Sequence, residues 1–293
     1  DSVLRAAGCA TLRAEIAPVD PDGVVDLEAL AELLQSRPDD GGFDGRQTLV
    51  AVMLANNETG VIEPVAEAAE IAHAHGALLH CDAVQAVGKI PIEVDSLGAD
   101  LLSLSAHKTG GPQGAGTLVV RQGVALTPQL AGGRQERGLR AGTENVAAIA
   151  GFGAACDLAG EDLEGQARLA RLRDDLEARI GAIAPGAKVF GGGAPRLANT
   201  SCFTMPGVSS ETQVMALDLA GIAVSAGAAC SSGKVAVSHV LRAMGVAEDE
   251  ASSAIRVSLG WRSRRQEIDK FLAAWRGLYA RAGAKSASAA PAA

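Results

Sequence analysis

Residues 101–111, LLSLSAHKTGG, decide the fold, because an apolar run stops abruptly at a polar segment that ends in two glycines. A short apolar run bounded by turn residues predicts a buried strand of a parallel sheet. Such a strand places Lys108 beside the interior, at the carboxyl edge where open α/β sheets bind ligands. A lysine held away from water loses its proton more readily, and a neutral amine forms Schiff bases. A loop lysine that reaches solvent explains the stretch equally well.

The composition excludes several classes of protein. The 293 residues are 48% hydrophobic, and the formal net charge of -8 argues against a nucleic-acid partner. No run approaches eighteen apolar residues, so no membrane span is predicted. Five widely spaced cysteines favour a reducing, cytoplasmic setting over a disulfide framework. The first residues, DSVLRAA, have the pattern of a helix and not of a signal segment, and we expect further sequence before them.

Strands that end in polar residues follow one another through the first half of the chain. The run TLVAVML at 48–54 predicts a central strand, and Asn57 follows it. Residues 77–82 predict the next strand, which ends at Asp82, and the strand at 101–105 leads to Lys108. Right-handed crossovers would bring these ends to one edge of a mostly parallel sheet. Further strands are predicted near 14–18 and 114–120, and helices at 26–35 and after Pro64.

The pattern changes from about residue 151. Leu169, Leu172, Leu176 and Ile180 recur at helical spacing and predict a long amphipathic helix. Short strands at 197–205 and 222–225 and helices near 237–244 and 266–276 predict a smaller α+β domain. We therefore predict a large domain over residues 1–155, a small domain over 156–285, and a disordered tail over 286–293, whose alanines, serines and proline cannot form a core.

Asp82 suits the carboxylate that pairs with the pyridine nitrogen of pyridoxal phosphate, the usual electrophile for a Schiff-base lysine. It could equally cap the segment that follows it. Gln85 could contact the phenolic oxygen of the cofactor or lie at the surface. A metal site built on His80, Cys81, Asp82 and His107 is disfavoured, because their spacing matches no zinc pattern and Cys81 would face away from His80 and Asp82.

Cys230 lies in SAGAACSSG at 225–233, whose small residues predict a mobile, exposed loop and a reactive thiol. We expect the other four cysteines to be small buried side chains: Cys9, Cys81, Cys156 and Cys202. Arg256, amid apolar neighbours in SAIRVSL, indicates either a bidentate clamp for a carboxylate or a structural ion pair. Residues 140–145, RAGTEN, suit phosphate binding at a helix start, or ordinary N-capping.

Together these motifs resemble the cysteine desulfurases, pyridoxal-phosphate enzymes related to class-V aminotransferases. The motifs are NNETG at 56–60, HCDAVQ at 80–85, SAHK at 105–108, RAGT at 140–143 and SAGAACSS at 225–232. The resemblance covers about residues 1–280 and implies an α/β fold, the fold type I of pyridoxal-phosphate transferases. The long cysteine loop is similar to that of the group that serves iron–sulfur cluster assembly.

The resemblance implies a role for each matching residue. Lys108 would hold the cofactor, Asp82 would pair with its ring nitrogen, and Gln85 and Asn57 would contact the phenolic oxygen and the substrate side. Asn57 thereby belongs to both the cofactor and the substrate site.

The resemblance also implies how phosphate, substrate and sulfur are handled. Ser105 and His107 would bind the phosphate, and Thr143 would reach the phosphate of a neighbouring subunit, which implies a homodimer. Arg256 would clamp the carboxylate of L-cysteine. Cys230 would take the sulfur as a persulfide, release alanine, pass the sulfur to an iron–sulfur scaffold or other acceptor protein, and transiently contact an iron–sulfur cluster.

The family also carries a Gly-Thr phosphate loop and a ring-stacking histidine before the position of Asp1. We therefore expect the 293-residue chain alone to bind cofactor weakly. Two further hypotheses follow. The first is a related pyridoxal-phosphate aminotransferase or lyase, which Cys230 argues against. The second is a catalytically impaired assembly partner, which the missing amino-terminal segment favours and Lys108, Asp82 and Cys230 argue against.

Overall fold

The computed structural model describes residues 2–10, 12–36, 48–161, 163–227 and 237–289. It divides the chain into two compact units. The first comprises residues 1–17, 27–55 and 63–163, and the second comprises 18–26, 56–62 and 164–293. Among the helices in these described ranges, none is long and apolar enough to cross a membrane.

The first unit is built on a four-stranded sheet. Its strands are β1 (Leu49–Met53), β2 (Leu78–Asp82), β3 (Leu101–Ser105) and β4 (Gly116–Val120), and they lie in that order. The first three run parallel and β4 pairs antiparallel with β3, which confirms the predicted mostly parallel sheet. The prediction that β1 is central is wrong for the sheet that the described residues form, because β1 lies at its edge and Leu49 is 53% exposed.

The helices of this unit are α1 (Ser2–Cys9), α2 (Leu27–Gln35), α3 (Val65–Ala74) and α4 (Val146–Glu161), and α3 packs against β1 and β2. The buried face of α3 carries alanines, whose small side chains let a helix approach a sheet closely. The buried carboxylate of Asp100 accepts hydrogen bonds from the Leu79 amide and from His73 Nε2, each at 2.8 Å. These bonds fasten the end of α3 to β2, which leads to Asp82.

The strand predicted near residues 14–18 is wrong. Residues 12–18 adopt no regular secondary structure, and the Ile16 side chain is 72% exposed. Val19 makes one isolated bridge with Val25. A strand needs a neighbour along its length for its hydrogen bonds, whereas here the pairing begins at Pro18, whose carbonyl oxygen accepts from the Asp26 amide at 3.0 Å.

The second unit is the predicted α+β fold. Its strands, β5 (Thr200–Thr204), β6 (Ser225–Ala226) and β7 (Ala254–Ser258), form an antiparallel sheet in the order β5–β7–β6. Its helices are α5 (Leu163–Ile183), α6 (Ser210–Leu219), α7 (His239–Ala243), α8 (Glu248–Ser252) and α9 (Arg265–Ala289). The predicted disordered tail overlaps the backbone of α9 over 286–289, and its last four residues lie outside the described ranges.

An aromatic cluster supports the sheet of the second unit. Phe203 on β5 meets Phe271 and Trp275 of α9 edge to face, with ring centroids 6.2 and 6.1 Å apart. Trp275 is fully buried and donates from Nε1 to Gln213 Oε1 at 3.4 Å. Gln213 donates in turn to the carbonyl oxygen of Ser253, next to β7, at 2.6 Å. The aromatic side chains thus support one face of the sheet, and the hydrogen bond from Gln213 holds the residue just before β7.

A buried ion pair strengthens the same unit. Arg196 donates to both carboxylate oxygens of Glu177, at 2.8 and 2.7 Å, and the side chains are only 7% and 14% exposed. Ser201 Oγ adds a third bond to Glu177 at 2.7 Å.

Glu177→Gln should lower the free energy of unfolding of this unit by about 3–5 kcal/mol, because it leaves the buried charge of Arg196 uncompensated. Urea unfolding measures the change, and Glu211→Gln on the exposed face of α6 is the control. A loss below about 1 kcal/mol, as is usual at the surface, would contradict this account.

Candidate active site

The carboxyl ends of β2 and β3 form one edge of the first unit's sheet, because the two strands are adjacent and parallel. Asp82, the last residue of β2, lies opposite Ser103 and is half-buried. Its Oδ1 accepts a hydrogen bond from the Val84 amide at 3.0 Å, which confirms the capping interaction. This bond occupies one oxygen and leaves the second available to a ligand.

A tight turn follows β3. The Ala106 carbonyl oxygen accepts hydrogen bonds from the amides of Thr109 and Gly111, at 3.0 and 2.9 Å, so Ala106–Lys108 form a short 3-10 helix. The turn carries Lys108 past the end of the strand, where it is exposed. Of the two interpretations of this stretch, the structure shows the lysine that reaches solvent and not the one beside the interior, so its amine is open to a ligand at this edge.

Ser105 and His107 are joined in the same turn. Ser105 Oγ lies 2.8 Å from His107 Nδ1, and His107 is exposed. A hydroxyl and an imidazole N–H at a strand end are suitable donors for an anionic group such as a phosphate. The structure therefore brings Asp82, Ser105, His107 and Lys108 to one edge, as predicted from the strand ends.

The surroundings of His80 and Cys81 indicate that both side chains have structural roles. His80 Nε2 lies 2.7 Å from Ser103 Oγ, and burial lowers the pKa of His80 although Asp82 opposes the shift. Cys81 is fully buried, and burial, with the nearby Asp82 charge, raises the pKa of its thiol to about 12. Across the described ranges no three histidine, cysteine, aspartate or glutamate side chains are grouped to hold a metal ion.

Gln85 and Thr143, both predicted to bind the cofactor, lie in different surroundings in the first unit. The side-chain oxygen of Gln85 accepts a hydrogen bond from Lys89 Nζ at 3.1 Å. Thr143 lies exposed in the loop before α4, after Gly142, whose φ of +97° is a left-handed conformation. Asn145 Oδ1 accepts from the Ala148 amide at 3.2 Å, so N-capping is confirmed for Asn145.

In the second unit, a loop places Asn57 against β7. Asn56 Oδ1 accepts hydrogen bonds from the amides of Glu58 and Thr59, at 2.8 and 3.1 Å. Gly60 closes the loop with a φ of +80°, and a Cβ there would lie 3.0 Å from Thr200 Cβ. This geometry explains the asparagine and glycine of the 56–60 motif.

Arg256 is held by neutral groups of the second unit. Its Nη1 donates to the Asn57 carbonyl oxygen at 2.7 Å, and its Nη2 donates to Ser225 Oγ at 3.1 Å. None of the ion pairs between described residues includes Arg256, so the structural ion pair is not observed there. Its Nε is buried without a partner in the described part of the chain. The guanidinium therefore keeps its charge and several donors for a carboxylate.

The cysteines divide by exposure. Cys230 lies outside the described residues. Cys81 and Cys202 are buried as predicted, and burial followed by the charge of Glu58 raises the pKa of Cys202 to about 12. Cys9 is exposed, so its predicted burial is wrong, because the face of α1 that carries it packs against nothing described. Cys156 is partly buried.

Sequence reasoning missed two residues that organise these sites. Asn56 carried a signal, since an asparagine side chain before a glycine-containing turn favours hydrogen bonds to the following amides. Ser225 carried none, because its contact with Arg256 depends on strand pairing across 31 residues.

The class-V aminotransferase family matches residues 2–271. The chain belongs to this family. This member of the class-V aminotransferase family is 50% identical over 255 residues to a cysteine desulfurase of Cereibacter sphaeroides and 47% identical over 249 residues to one of Klebsiella pneumoniae. The matches cover 87% and 85% of the chain but 63% and 62% of the relatives' lengths.

The fold is also found among solved structures. A NifS-like protein from Rickettsia africae superimposes with a TM-score of 0.82 at 37% identity, over 90% of this chain and 69% of the other. The sequence resemblance to cysteine desulfurases and the predicted fold class are both confirmed.

Class-V aminotransferases depend on pyridoxal phosphate. The first unit's sheet edge fits this cofactor. Asp82 has a carboxylate oxygen available for the ring nitrogen, the Ser105–His107 pair offers donors for the phosphate, and Lys108 presents an exposed amine. These side chains lie at one edge of the sheet, so a single ligand can bind to all of them.

Proposed function

We propose that this member of the class-V aminotransferase family is a cysteine desulfurase, which removes sulfur from L-cysteine and releases L-alanine. One observation carries the proposal. Asp82 ends β2 and Lys108 follows β3, the adjacent parallel strand, in a chain that is 47–50% identical to cysteine desulfurases.

The cofactor residues have separate tasks. Bound pyridoxal phosphate withdraws electrons from the substrate carbon next to the amine. Asp82 keeps a proton at the ring nitrogen, and Ser105 and His107 bind the phosphate. Lys108 anchors the cofactor and moves a proton at the substrate carbon. Gln85 accepts from Lys89 through its side-chain oxygen, so its side-chain N–H groups would donate to the phenolic oxygen.

The substrate residues lie elsewhere in the chain. Arg256 binds the carboxylate of L-cysteine, with Asn57 beside it. The Cys230 thiolate attacks the substrate sulfur, so a sulfur–sulfur bond forms while the carbon–sulfur bond breaks. The electron pair of the broken bond stays on carbon, which takes up a proton to give alanine. Cys230 is left as a persulfide.

The expected partners extend this proposal. Thr143 would reach the phosphate of a second subunit in a homodimer. The persulfide sulfur would pass in the cytoplasm to an iron–sulfur scaffold or another acceptor protein. The exposed position of Thr143 is compatible with such a contact.

The direct test supplies the 293-residue chain with pyridoxal phosphate and L-cysteine. Alanine is quantified by chromatography, and the peptide containing Cys230 is examined for added sulfur by mass spectrometry. We expect one alanine for each sulfur transferred. Amino-group transfer to a keto acid without sulfur release would show an aminotransferase, and cofactor binding without either reaction would show an impaired assembly partner.

Arg256→Lys should weaken the binding of L-cysteine by about ten- to a hundredfold. A lysine cannot reproduce the planar fork, and a hydrogen bond to a charged group contributes about 1.5–3 kcal/mol. The affinity for pyridoxal phosphate should stay unchanged. Steady-state kinetics and cofactor titration measure the two effects, and loss of cofactor at unchanged substrate affinity would make Arg256 structural.

A further inference from the structure

The Ser225 hydroxyl is placed against the Arg256 guanidinium by strand pairing. Ser225 and Arg256 are opposite each other in the antiparallel β6–β7 pair. Residues directly opposite on such a pair project from the same face of the sheet. The hydroxyl oxygen therefore reaches Nη2 at 3.1 Å, although 31 residues separate the two along the chain.

The backbone before Ser225 is fixed as well. The amides of Gly221 and Ile222 donate to the carbonyl oxygens of Asp218 and Leu217, at 2.8 and 2.9 Å, which ties the segment to the end of α6. Leu217 is fully buried. The position of Ser225 is thus set by the core and the sheet.

Two anchors act on the two terminal nitrogens of the guanidinium. The Asn57 carbonyl oxygen accepts from Nη1 at 2.7 Å and Ser225 accepts from Nη2. A planar group held at both nitrogens cannot rotate about its long axis, whereas one anchor leaves that rotation open. Each terminal nitrogen carries two hydrogens, so each retains one N–H for a carboxylate.

We infer that Ser225 is a positioning residue, which orients Arg256 for the substrate carboxylate without touching the substrate. The inference rests on the proposed function of Arg256. The Asn57 anchor is a backbone atom, so the hydroxyl of Ser225 is the anchor that a side-chain change removes. Removing it should weaken carboxylate binding about tenfold, the effect of one modest hydrogen bond.

The experiment measures the binding of L-alanine, the proposed product, which carries the same carboxylate but no sulfur to transfer, to the full chain loaded with pyridoxal phosphate. Isothermal titration calorimetry compares Ser225→Ala with Ser225→Thr, which keeps the hydroxyl, and with Ser258→Ala, an exposed control on β7. We expect about tenfold weaker binding for Ser225→Ala and less than twofold change for the others. Cofactor affinity and the melting temperature should be unaltered.

A double-mutant comparison separates positioning from general structure. In the Arg256→Ala background, Ser225→Ala should cause no further loss of L-alanine binding. An equal loss in both backgrounds, or no loss in either, would overturn the positioning role alone. If the chain binds L-alanine equally well with and without Arg256, or does not bind it, the proposed function of Arg256 fails first.

Discussion

Lys108→Ala will abolish the covalent link between this protein and pyridoxal phosphate. Lys108 is exposed at the edge of the sheet that also carries Asp82 and the Ser105–His107 pair, so its amine is the one placed to bond with a cofactor bound there. Without it the cofactor can still be held by its phosphate and ring nitrogen, but not covalently. Alanine release from L-cysteine should fall by at least about 10²–10⁴-fold, because the amine also moves a proton at the substrate.

Borohydride reduction followed by peptide mass mapping detects the link directly. The unsubstituted chain should show the reduced cofactor on the peptide that contains Lys108, and Lys108→Ala should show none. Lys188→Ala is the control, because Lys188 is an exposed lysine that pairs with Glu250. A reducible link that survives in Lys108→Ala would refute the assignment.

Cys230→Ala will separate cofactor binding from sulfur transfer. The variant should keep the spectrum of the cofactor-bound protein, but persulfide formation and alanine release from L-cysteine should fall to the level without enzyme. The described cysteines support this division. The pKa values of Cys81 and Cys202 are raised to about 12, so at pH 8 only about one thiol in 10⁴ is ionised and able to attack sulfur.

Cys9→Ala is the matched control, since Cys9 is the exposed thiol of the described residues. It should transfer sulfur at the unsubstituted rate. Normal sulfur transfer by Cys230→Ala, combined with loss in Cys9→Ala, would identify Cys9 as the nucleophile. Sulfur transfer at the unsubstituted rate in both variants would show that neither thiol accepts the sulfur.

Much of the fold could be predicted because its signals are local. The apolar runs that became β1, β2 and β3 are each bounded by polar or turn residues, and the spacing of leucines predicted α5. The predicted strand at 14–18 does not form, because a few apolar residues do not supply a neighbouring strand. The sequence left the exposure of Lys108 open, because a single 3-10 turn after β3 separates an exposed side chain from an interior one.

The sequence by itself determined the family of this protein and its candidate site residues. Asp82, Lys108 and Cys230 each lie in a short motif that can be recognised in the sequence. The order of the strands also predicts that Asp82 and Lys108 lie at the same edge of the sheet. Only the tertiary structure decided how Arg256 is held, because its anchors are Asn57, 199 residues away, and Ser225 across a strand pair. Such bonds depend on strand register and loop geometry, which arise from packing and leave no pattern in the residues nearby.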